Sequence, residues 1–394
     1  MSTNQLRPIN ARTDKLLYRL RAAEALLGVS HTTLRAYSDT AGIKVRRANE
    51  FNDKAVPTRV FEPETIFSLA QWRRAQGYVK GPAAGPVVVA VSVVKGGTGK
   101  TTTAVEAAVH LQLMGLRVLC IDMDAQANLT QYMGYEADLT EEEAPGQGLT
   151  KDAVVTSTFL HVVNFYIGAT QRGSLAPSSP PPTTDLIKKP FGEDGPHVIC
   201  GDMYVSDMDT LIANSKGQRE MLFRDLFAQS KKGKIPGFDI SGYDVILMDC
   251  PPNMSMTSTC AIGAADIVVS PVRMDSFAIK GVARLFRDIQ GMRETYPIMR
   301  PQNLILPTHY SPSIPRTSRM QLALNQYATM LSPQVISSSE DFPKSLEQYM
   351  PLTLQKPTSR GASEYRLFAE ILRDKVSEVA TAKAADEKGQ AKKH

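Results

Sequence analysis

The chain has 394 residues, of which 42% are hydrophobic and 22% charged, enough for one large or two ordinary globular domains with a real core. Its apolar runs fall short of the roughly 20 residues of a membrane span, and the N-terminus has no apolar signal-peptide core, so we expect a cytoplasmic protein. The four cysteines lack C-x-x-C spacing, which argues against a zinc site or a disulfide framework.

Charge is unevenly distributed along the chain. Residues 1–80 contain 14 Arg and Lys against 7 Asp and Glu, a local net charge of +7, while the whole chain carries +5. A basic segment at one end of a chain is the electrostatic pattern expected of a nucleic-acid-binding module. We therefore expect DNA to be a partner of the N-terminal region.

Residues 1–80 have the pattern of a small, mainly helical domain. The spacing predicts a short helix over Asp14–Arg21, followed by a helix, a tight turn at Gly28 and a second helix that begins after the capping residue Ser30. An amphipathic helix is predicted over Glu64–Gln76, because its apolar residues recur at helical spacing.

This helix-turn-helix pattern continues into two basic stretches, residues 44–48 and 58–61, that bracket a polar connection and predict a basic wing. The region resembles the winged helix-turn-helix of MerR-type regulators. The residues that would face DNA are His31, Thr32, Thr33 and Arg35 on the second helix and Arg46 and Arg47 on the wing. The alternative is a helical hairpin that only packs or dimerises, since such patterns are common.

From residue 87 onward, short apolar strands alternate with helical segments. The strands are predicted over Val87–Val94, Arg117–Asp122, Tyr243–Asp249, Asp266–Pro271 and Asn303–Pro307. This alternation predicts an α/β fold, a mainly parallel twisted sheet with helices on both faces. We place a linker at 81–86, the α/β domain at 87–375 with an exposed insertion at 170–197, and a flexible tail at 376–394.

A glycine-rich phosphate-binding loop follows the first of these strands. Residues 94–102 read Val-Lys-Gly-Gly-Thr-Gly-Lys-Thr-Thr, and the ordinary pattern G-x-x-x-x-G-K-[ST] fails only because Val94 stands where glycine is required. Gly99, Lys100 and Thr101 keep what the chemistry needs, namely backbone N–H groups at a helix start, an ammonium and a hydroxyl for magnesium.

The K-G-G-x-G-K-T-T arrangement resembles the deviant Walker A motif of the ParA/MinD class of ATPases. The resemblance implies ATP or ADP with Mg²⁺ as cofactors, Lys100 on the β- and γ-phosphates, Thr101 on magnesium and Thr102 on the α-phosphate. It also implies that Lys95 reaches the nucleotide of a second subunit. The loop residues expected to contact the nucleotide are Gly96, Gly97, Thr98, Gly99, Lys100, Thr101 and Thr102.

Acidic residues stand where two of the predicted strands end, which is where ligands bind in open α/β sheets. The segment Asp122-Met-Asp124-Ala-Gln126 resembles the switch I of this class, and Asp249-Cys-Pro-Pro resembles its Walker B aspartate. By that resemblance Asp249 supports the metal and Asp124 orients or activates the attacking water. Helix capping is the alternative for both Asp122 and Asp124, and for Asp122 it is an equally good interpretation.

The C-terminal part carries further resemblances to ParA proteins. Residues 306–310 fall where the class supplies adenine contacts, although Pro307 and His309 are unfamiliar choices there. Residues 355–372 resemble the closing segment and last helix, where basic residues bind DNA without sequence preference. The candidates for phosphate contacts are Arg316, Arg319, Lys356, Arg360 and Arg366, and an ordinary solvated helix face is the alternative for each.

Together these features predict a partition ATPase of the larger ParA type, whose N-terminal domain would also repress its own operon. We expect a homodimer or a filament on DNA, associated with the nucleoid, and a centromere-binding partner of the ParB type. The alternatives are a MinD-like membrane-surface ATPase and a nucleotide-sensing repressor. The former needs an amphipathic C-terminal helix, and the tail has few large apolar residues. Reductases built on the same loop need matched cysteines for an iron–sulfur cluster, and no second ligand pairs with Cys250.

Overall fold

The computed structural model describes residues 16–147, 151–171, 181–183, 185–274, 278–312 and 314–391. The N-terminal elements are α1 (Leu20–Leu27), α2 (His31–Thr40), β1 (Arg46–Arg47), β2 (Arg59–Val60) and α3 (Pro63–Ala75). The strands that follow are β3 (Val87–Val91), β4 (Val118–Asp122), β5 (Ile187–Lys188), β6 (His197–Ile199), β7 (Val245–Asp249), β8 (Ile267–Arg273) and β9 (Gln302–Thr308). The helices that follow are α4 (Lys100–Leu113), α5 (Asn128–Tyr132), α6 (Phe159–Gln171), α7 (Asp207–Ala213), α8 (Leu222–Ser230), α9 (Met256–Ala264), α10 (Ala278–Thr295), α11 (Pro315–Leu324), α12 (Asp341–Glu347), α13 (Leu352–Gln355) and α14 (Arg360–Ala391).

The large sheet has the strand order β5-β6-β4-β7-β3-β8-β9 within the described part of the chain. All neighbouring pairs are parallel except β5 with β6, which is antiparallel at the edge. Every residue of β3, β4 and β7 is buried, as expected when helices cover both faces of a parallel sheet. The predicted α/β class is therefore confirmed, and all five predicted strands are present, although the first ends at Val91 and not at Val94.

The two faces of the sheet carry separate hydrophobic cores. Because side chains alternate along a strand, Val87, Val89 and Val91 of β3 belong to the core that contains α4 and α14, while Val88 and Ala90 belong to the other. The second core is closed by residues from α6 to α10. This layering brings the carboxyl ends of the central strands to one edge of the sheet.

The two helices on either side of Gly28 and the strand pair of the wing lie where the sequence predicts them. Gly28 ends α1 with φ 63°, a left-handed conformation that favours glycine, and the Ser30 hydroxyl caps α2 by accepting the Thr33 N–H at 3.2 Å. β1 and β2 form an antiparallel pair at the predicted wing, with Arg46 opposite Val60.

The N-terminal region shares a hydrophobic core with the α/β domain. Leu26 and Phe67 lie in the same hydrophobic cluster as β3 and α4. Arg74 of α3 forms a two-point ion pair with Asp244, next to the start of β7, and Arg73 donates to the carbonyl of Leu27 at 2.9 Å. The predicted linker at 81–86 therefore connects two regions that share one core.

The helix predicted over Asp14–Arg21 is wrong for residues 16–19, and Asp14 and Lys15 lie outside the described residues. Tyr18 instead forms a β-bridge with Phe61, and its hydroxyl donates to the carbonyl of Leu354 at 2.7 Å. Helix α1 begins only at Leu20. The pairing buries the tyrosine ring against residues distant in sequence, which local spacing does not reveal.

Two further boundaries need correction. Residues 172–180 and 184 of the predicted insertion lie outside the described residues, but Leu186 and Phe191 are buried and β5 joins the sheet, so this part is not an exposed loop. The predicted flexible tail is helical as far as Ala391, with Val376 buried in the core. Residues 392–394 lie outside the description. No helix among the described residues is both long enough and apolar enough to cross a bilayer.

Candidate functional site

The phosphate-binding loop connects the buried strand β3 to the first turn of α4. Gly97 and Gly99 have φ values of 67° and 86°, in the left-handed region where residues with a Cβ are strained. Gly99 is the N-cap of α4, so the first backbone N–H groups of that 14-residue helix face the loop without a side-chain cap. Such a helix start favours a bound anion.

Lys100, the first residue of α4, is 7% exposed, and its Nζ donates to the carbonyl of Lys95 at 3.1 Å. Burial lowers the pKa of its ammonium, while the nearby carboxylates of Asp249 and Asp124 raise it. A cation held beneath a glycine-rich loop and close to two acids is suited to a phosphate ligand that brings further negative charge.

Asp249 is the last residue of β7 and is fully buried. Neither of its carboxylate oxygens accepts a hydrogen bond of normal geometry from the described residues. Burial raises its pKa well above the usual range, and so does Asp122, whereas the Thr101 hydroxyl and Lys100 lower it. A buried carboxylate with so few partners is costly unless a cation or a donor from a ligand compensates its charge.

These residues fit a magnesium ion. Carboxylate and hydroxyl oxygens are its preferred ligands, and it usually keeps several waters together with oxygens from bound phosphates. The described residues contain no group of three or more His, Cys, Asp or Glu placed to hold a metal by themselves. Asp249 and Thr101 would thus hold the ion together with phosphate oxygens and water.

Asp122 and Asp124 have different surroundings. Asp122 is fully buried, and its carboxylate accepts the Thr130 N–H at 2.9 Å, the Thr130 hydroxyl at 2.8 Å and the Asp124 N–H at 3.2 Å. Burial raises its pKa to about 6. It therefore fixes the segment that follows β4, which favours the structural interpretation. Asp124 instead lines a cavity and accepts the Gln126 N–H at 3.1 Å.

This cavity, of about 650 Å³, opens at the carboxyl edge of the sheet and is of a size suited to a nucleotide. One part of the lining, which we call the phosphate side, is made by the loop, α4, the switch segments and the end of β8. The phosphate-side residues are Gly96, Gly97, Gly99, Lys100, Thr101, Thr102, Asp124, Gln126, Asn128, Pro252 and Arg273. Asp249 and Thr98 are buried and do not line it.

The rest of the lining, which we call the base side, combines segments that are far apart in sequence. Its residues are Tyr132, Thr308, His309, Ile336, Ser337, Ser338, Ser339, Glu340, Phe342, Pro343, Leu346 and Tyr365. Thr308 and His309 belong to the stretch predicted to contact adenine. The sequence does not predict segment 336–346, because its run of three serines before an acidic pair has no fixed spacing to the phosphate loop.

Hydrogen bonds from other helices hold segment 336–346 in place. Glu364 of α14 accepts the Ser337 N–H and the Ser337 hydroxyl, both at 2.7 Å. Tyr132 of α5 donates to the carbonyl of Phe342 at 3.1 Å. These hydrogen bonds therefore fix the position of segment 336–346, the main part of the base side.

Lys95 lies at the front of the loop, and its backbone N–H donates to the carbonyl of Val93 at 2.8 Å. Its side chain is half-buried and does not line the cavity formed by its own chain. The structure thus brings Lys100, Thr101 and Asp124 to one site, with Asp249 beneath it, but leaves Lys95 outside.

The candidate DNA contacts of the N-terminal region lie on its outer surface. His31 and Arg35 are exposed one turn apart on α2, Thr32 is exposed, and Thr33 is half-buried. On the wing, Arg47 is exposed, whereas Arg46 is half-buried, with its guanidinium 3.8 Å from the centre of the Phe51 ring.

The C-terminal candidates differ in accessibility. Arg319 is exposed on α11, while the side chain of Arg316 lies outside the described residues. Lys356 and Arg360 are exposed and form ion pairs with Asp341 and Glu364.

Arg366 is the candidate whose surroundings argue against a DNA contact. It is half-buried and forms an ion pair with Glu370. Its guanidinium packs so closely on Gly28 that a Cβ there would lie 2.8 Å from it. Arg366 thus joins α14 to the turn of the N-terminal region instead of standing open to a phosphate.

Comparisons with known proteins agree with this geometry. The family model described as an AAA domain matches residues 87–301. The chain is similar to the chromosome-partitioning ATPase Soj of Thermus thermophilus, with 25% identity over 297 residues, covering 74% of this chain and 96% of that protein.

Two solved structures share the fold. A complex of Cyanothece McdA with ATP has 18% identity and a TM-score of 0.52, and the match covers 76% of this chain and 97% of that one. Cobyrinic acid a,c-diamide synthase from Mycobacterium smegmatis, with a bound ATP analogue and magnesium, has 20% identity and a TM-score of 0.51, and the match covers 73% and 94%.

Proposed function

Because this chain belongs to the AAA domain family and is similar to ParA-type partition ATPases, we propose that it hydrolyses ATP with Mg²⁺ in order to segregate DNA. The observation that carries the proposal is the buried carboxylate of Asp249, which lies close to Lys100 and Thr101 beneath a glycine-rich helix start. The ATP and magnesium bound by the neighbouring structures support the same ligands here.

Each residue of the site has a task in this proposal. Thr101 and Asp249 would hold Mg²⁺, which would supply positive charge to neutralise the phosphates. Lys100 and the N–H groups at the start of α4 hold the phosphates. Asp124, which lines the cavity, orients the attacking water. Little covalent chemistry is needed from the protein, since positioning and charge stabilisation carry phosphoryl transfer.

ATP would close a dimer that binds DNA without sequence preference, and hydrolysis, stimulated by a ParB-type partner, would release it. The position of Lys95 supports a dimeric site, because its side chain lies outside the cavity of its own chain. A MinD-like role is less well supported, because Val376 and Val379 of the last helix are buried in the core and not presented to lipid.

Substitution of Lys95 tests the dimeric site. Lys95→Ala should leave ATP affinity within about threefold of the wild type, because Lys95 does not line the cavity of its own chain. It should lower DNA-stimulated turnover by about 100-fold or more, because a positive charge that contacts the phosphates is lost. The measurements are calorimetric ATP binding and phosphate release with DNA. Lys234→Ala, at an exposed lysine, is the matched control. Full turnover by a monomeric Lys95→Ala protein would contradict the proposal.

We also propose that α2 reads an operator and represses the chain's own operon. The support is the basic N-terminal charge, the capped α2 and the exposed His31 and Arg35 one turn apart. If only nucleotide sensing and repression took place, without a partition role, ATP turnover would not respond to DNA and a partner.

The operator proposal is best tested by a point substitution, because removal of residues 1–80 would expose the shared core. Arg35→Ala should weaken protection of the upstream operon DNA by about tenfold or more, the effect of losing one specific base contact, and should leave nonspecific binding within about twofold. Nuclease footprinting measures the first and a filter assay with random DNA the second. Arg300→Ala, at an exposed arginine before β9, should behave as the wild type. An unchanged footprint for Arg35→Ala would remove α2 from DNA recognition.

A further inference from the structure

Arg273 is a positively charged residue at the nucleotide cavity, and the proposed function assigns it no role. It is the last residue of β8 and the only exposed one, because Ile267 to Val272 are all buried. It lines the cavity together with residues of the phosphate loop. An arginine that ends a buried strand at a ligand cavity lies where open α/β sheets bind their ligands.

The strand order places Arg273 on the opposite flank of the phosphate loop from Asp249. β3, which leads into the loop, lies between β7 and β8. β7 ends at Asp249 and β8 ends at Arg273. The loop is thus flanked by a carboxylate suited to a metal on one side and by a guanidinium on the other.

Hydrogen bonds tie the end of β8 to the loop itself. Arg273 is paired in register with Thr308 of β9, and the N–H of Met274 donates to the Thr308 carbonyl at 3.1 Å. The Thr308 hydroxyl donates to the carbonyl of Thr98, within the loop, at 2.8 Å. The backbone of Arg273 is therefore held at a fixed position relative to the phosphate loop.

The charges of the cavity wall also favour this assignment. Among the described residues that line the cavity, Lys100 and Arg273 are the lysine and arginine side chains, whereas Asp124 and Glu340 are the carboxylates. A triphosphate carries more negative charge than one lysine and one magnesium ion balance. A guanidinium matches phosphate oxygens with two parallel hydrogen bonds, which a lysine does not provide.

We propose that Arg273 binds the phosphate chain of the nucleotide from the flank of the loop opposite Asp249. This inference rests on the proposed function, because the ligand is the nucleotide of that site. It assigns a second phosphate-binding cation to the same chain, in addition to Lys100. Arg273 therefore contributes to nucleotide binding before any dimer forms.

Nucleotide binding by point variants tests the assignment. Arg273→Gln should lower the affinity for a non-hydrolysable ATP analogue with Mg²⁺, and for ADP with Mg²⁺, by about tenfold or more, since charge-assisted hydrogen bonds are lost. Arg273→Lys should recover part of the loss, because charge remains and the two-point geometry does not. Arg300→Gln is the control, at an exposed arginine on the amino side of the neighbouring strand β9. Titration calorimetry on dilute, monomeric protein gives the affinities.

The outcomes separate this inference from the function on which it rests. If the wild type and Arg300→Gln bind nucleotide and Arg273→Gln binds equally well, Arg273 does not contact the phosphates and only this inference is overturned. If the wild type binds neither nucleotide, the proposed function itself is overturned. The melting temperature without nucleotide should change by less than about 2 °C in Arg273→Gln, because an exposed side chain contributes little to stability.

Discussion

The two walls of the nucleotide cavity are built in different ways. The phosphate side is dominated by one contiguous run, residues 96–102, and its conformation follows from local features such as the left-handed Gly97 and Gly99 and the start of α4. The base side assembles Thr308, segment 336–346 and Tyr365 from distant parts of the chain. One wall is therefore encoded locally, and the other exists only after the chain has folded.

The difference has a physical cause. A phosphate group is recognised by backbone N–H groups and fixed charges, which need glycines and a lysine at set spacing. A base is recognised mainly by apolar contact, which many residue types provide once packing has placed them. On the base side, Phe342 packs edge-on against Tyr365 with ring centres 5.5 Å apart, and Glu364 fixes Ser337. None of these contacts has a characteristic sequence spacing.

Substitution of Lys100 should have the largest effect on nucleotide binding. If it had no effect, the comparison between the two walls would not hold. Lys100→Ala should lower ATP affinity by about 100-fold or more, because it removes the buried ammonium beneath the loop. Calorimetric titration with ATP and Mg²⁺ measures the change. The control is Lys232→Ala, at an exposed lysine after α8, which should bind as the wild type does. Tight binding by Lys100→Ala would show that the loop is not the phosphate site.

The same contrast runs through the whole fold. The central strands, the turn at Gly28 and the Ser30 cap are predictable, because apolar runs, glycine and serine act over a few residues. The bridge between Tyr18 and Phe61 and the burial of Val376 are not, since both depend on partners far away in sequence. In the site, Asp249 was predictable from its strand, whereas segment 336–346 was not.

One buried residue joins the two kinds of wall. Glu106 lies on α4, the helix that starts at the phosphate loop, and is fully buried. Its carboxylate accepts the Leu352 N–H at 2.7 Å, the Thr353 N–H at 3.2 Å and the Thr353 hydroxyl at 2.5 Å. Leu352 and Thr353 are the first two residues of α13, which packs on α12. Helix α12 contributes residues to the base side. Glu106 thus tethers the base side to the helix of the phosphate side.

We expect the titration of Glu106 to have the smallest effect on nucleotide binding. Its main effect should be on the free energy of unfolding, which tests whether Glu106 links the two walls. Burial raises its pKa from 4.5 to about 7, while the hydrogen bonds from Thr353 and Leu352 lower it. Because the pKa is raised in the folded state, the stability that this group contributes is fully present below pH 4.5 and is lost as the pH rises through 7. Over that range the loss amounts to about 3 kcal/mol.

Glu106→Gln should remove this pH-dependent contribution to the free energy of unfolding. Measured by urea unfolding from about pH 5 to pH 8, the stability of the variant relative to the wild type should rise by about 3 kcal/mol with pH, because only the wild type has the buried carboxyl to ionise. ATP affinity at low pH should stay within about threefold, since the amide is similar in shape and keeps one acceptor oxygen. Glu378→Gln, at an exposed carboxyl on α14, should follow the wild-type profile. Parallel profiles for Glu106→Gln and the wild type would mean that the carboxyl keeps one charge state across this range, and that the tether between the two walls does not respond to pH.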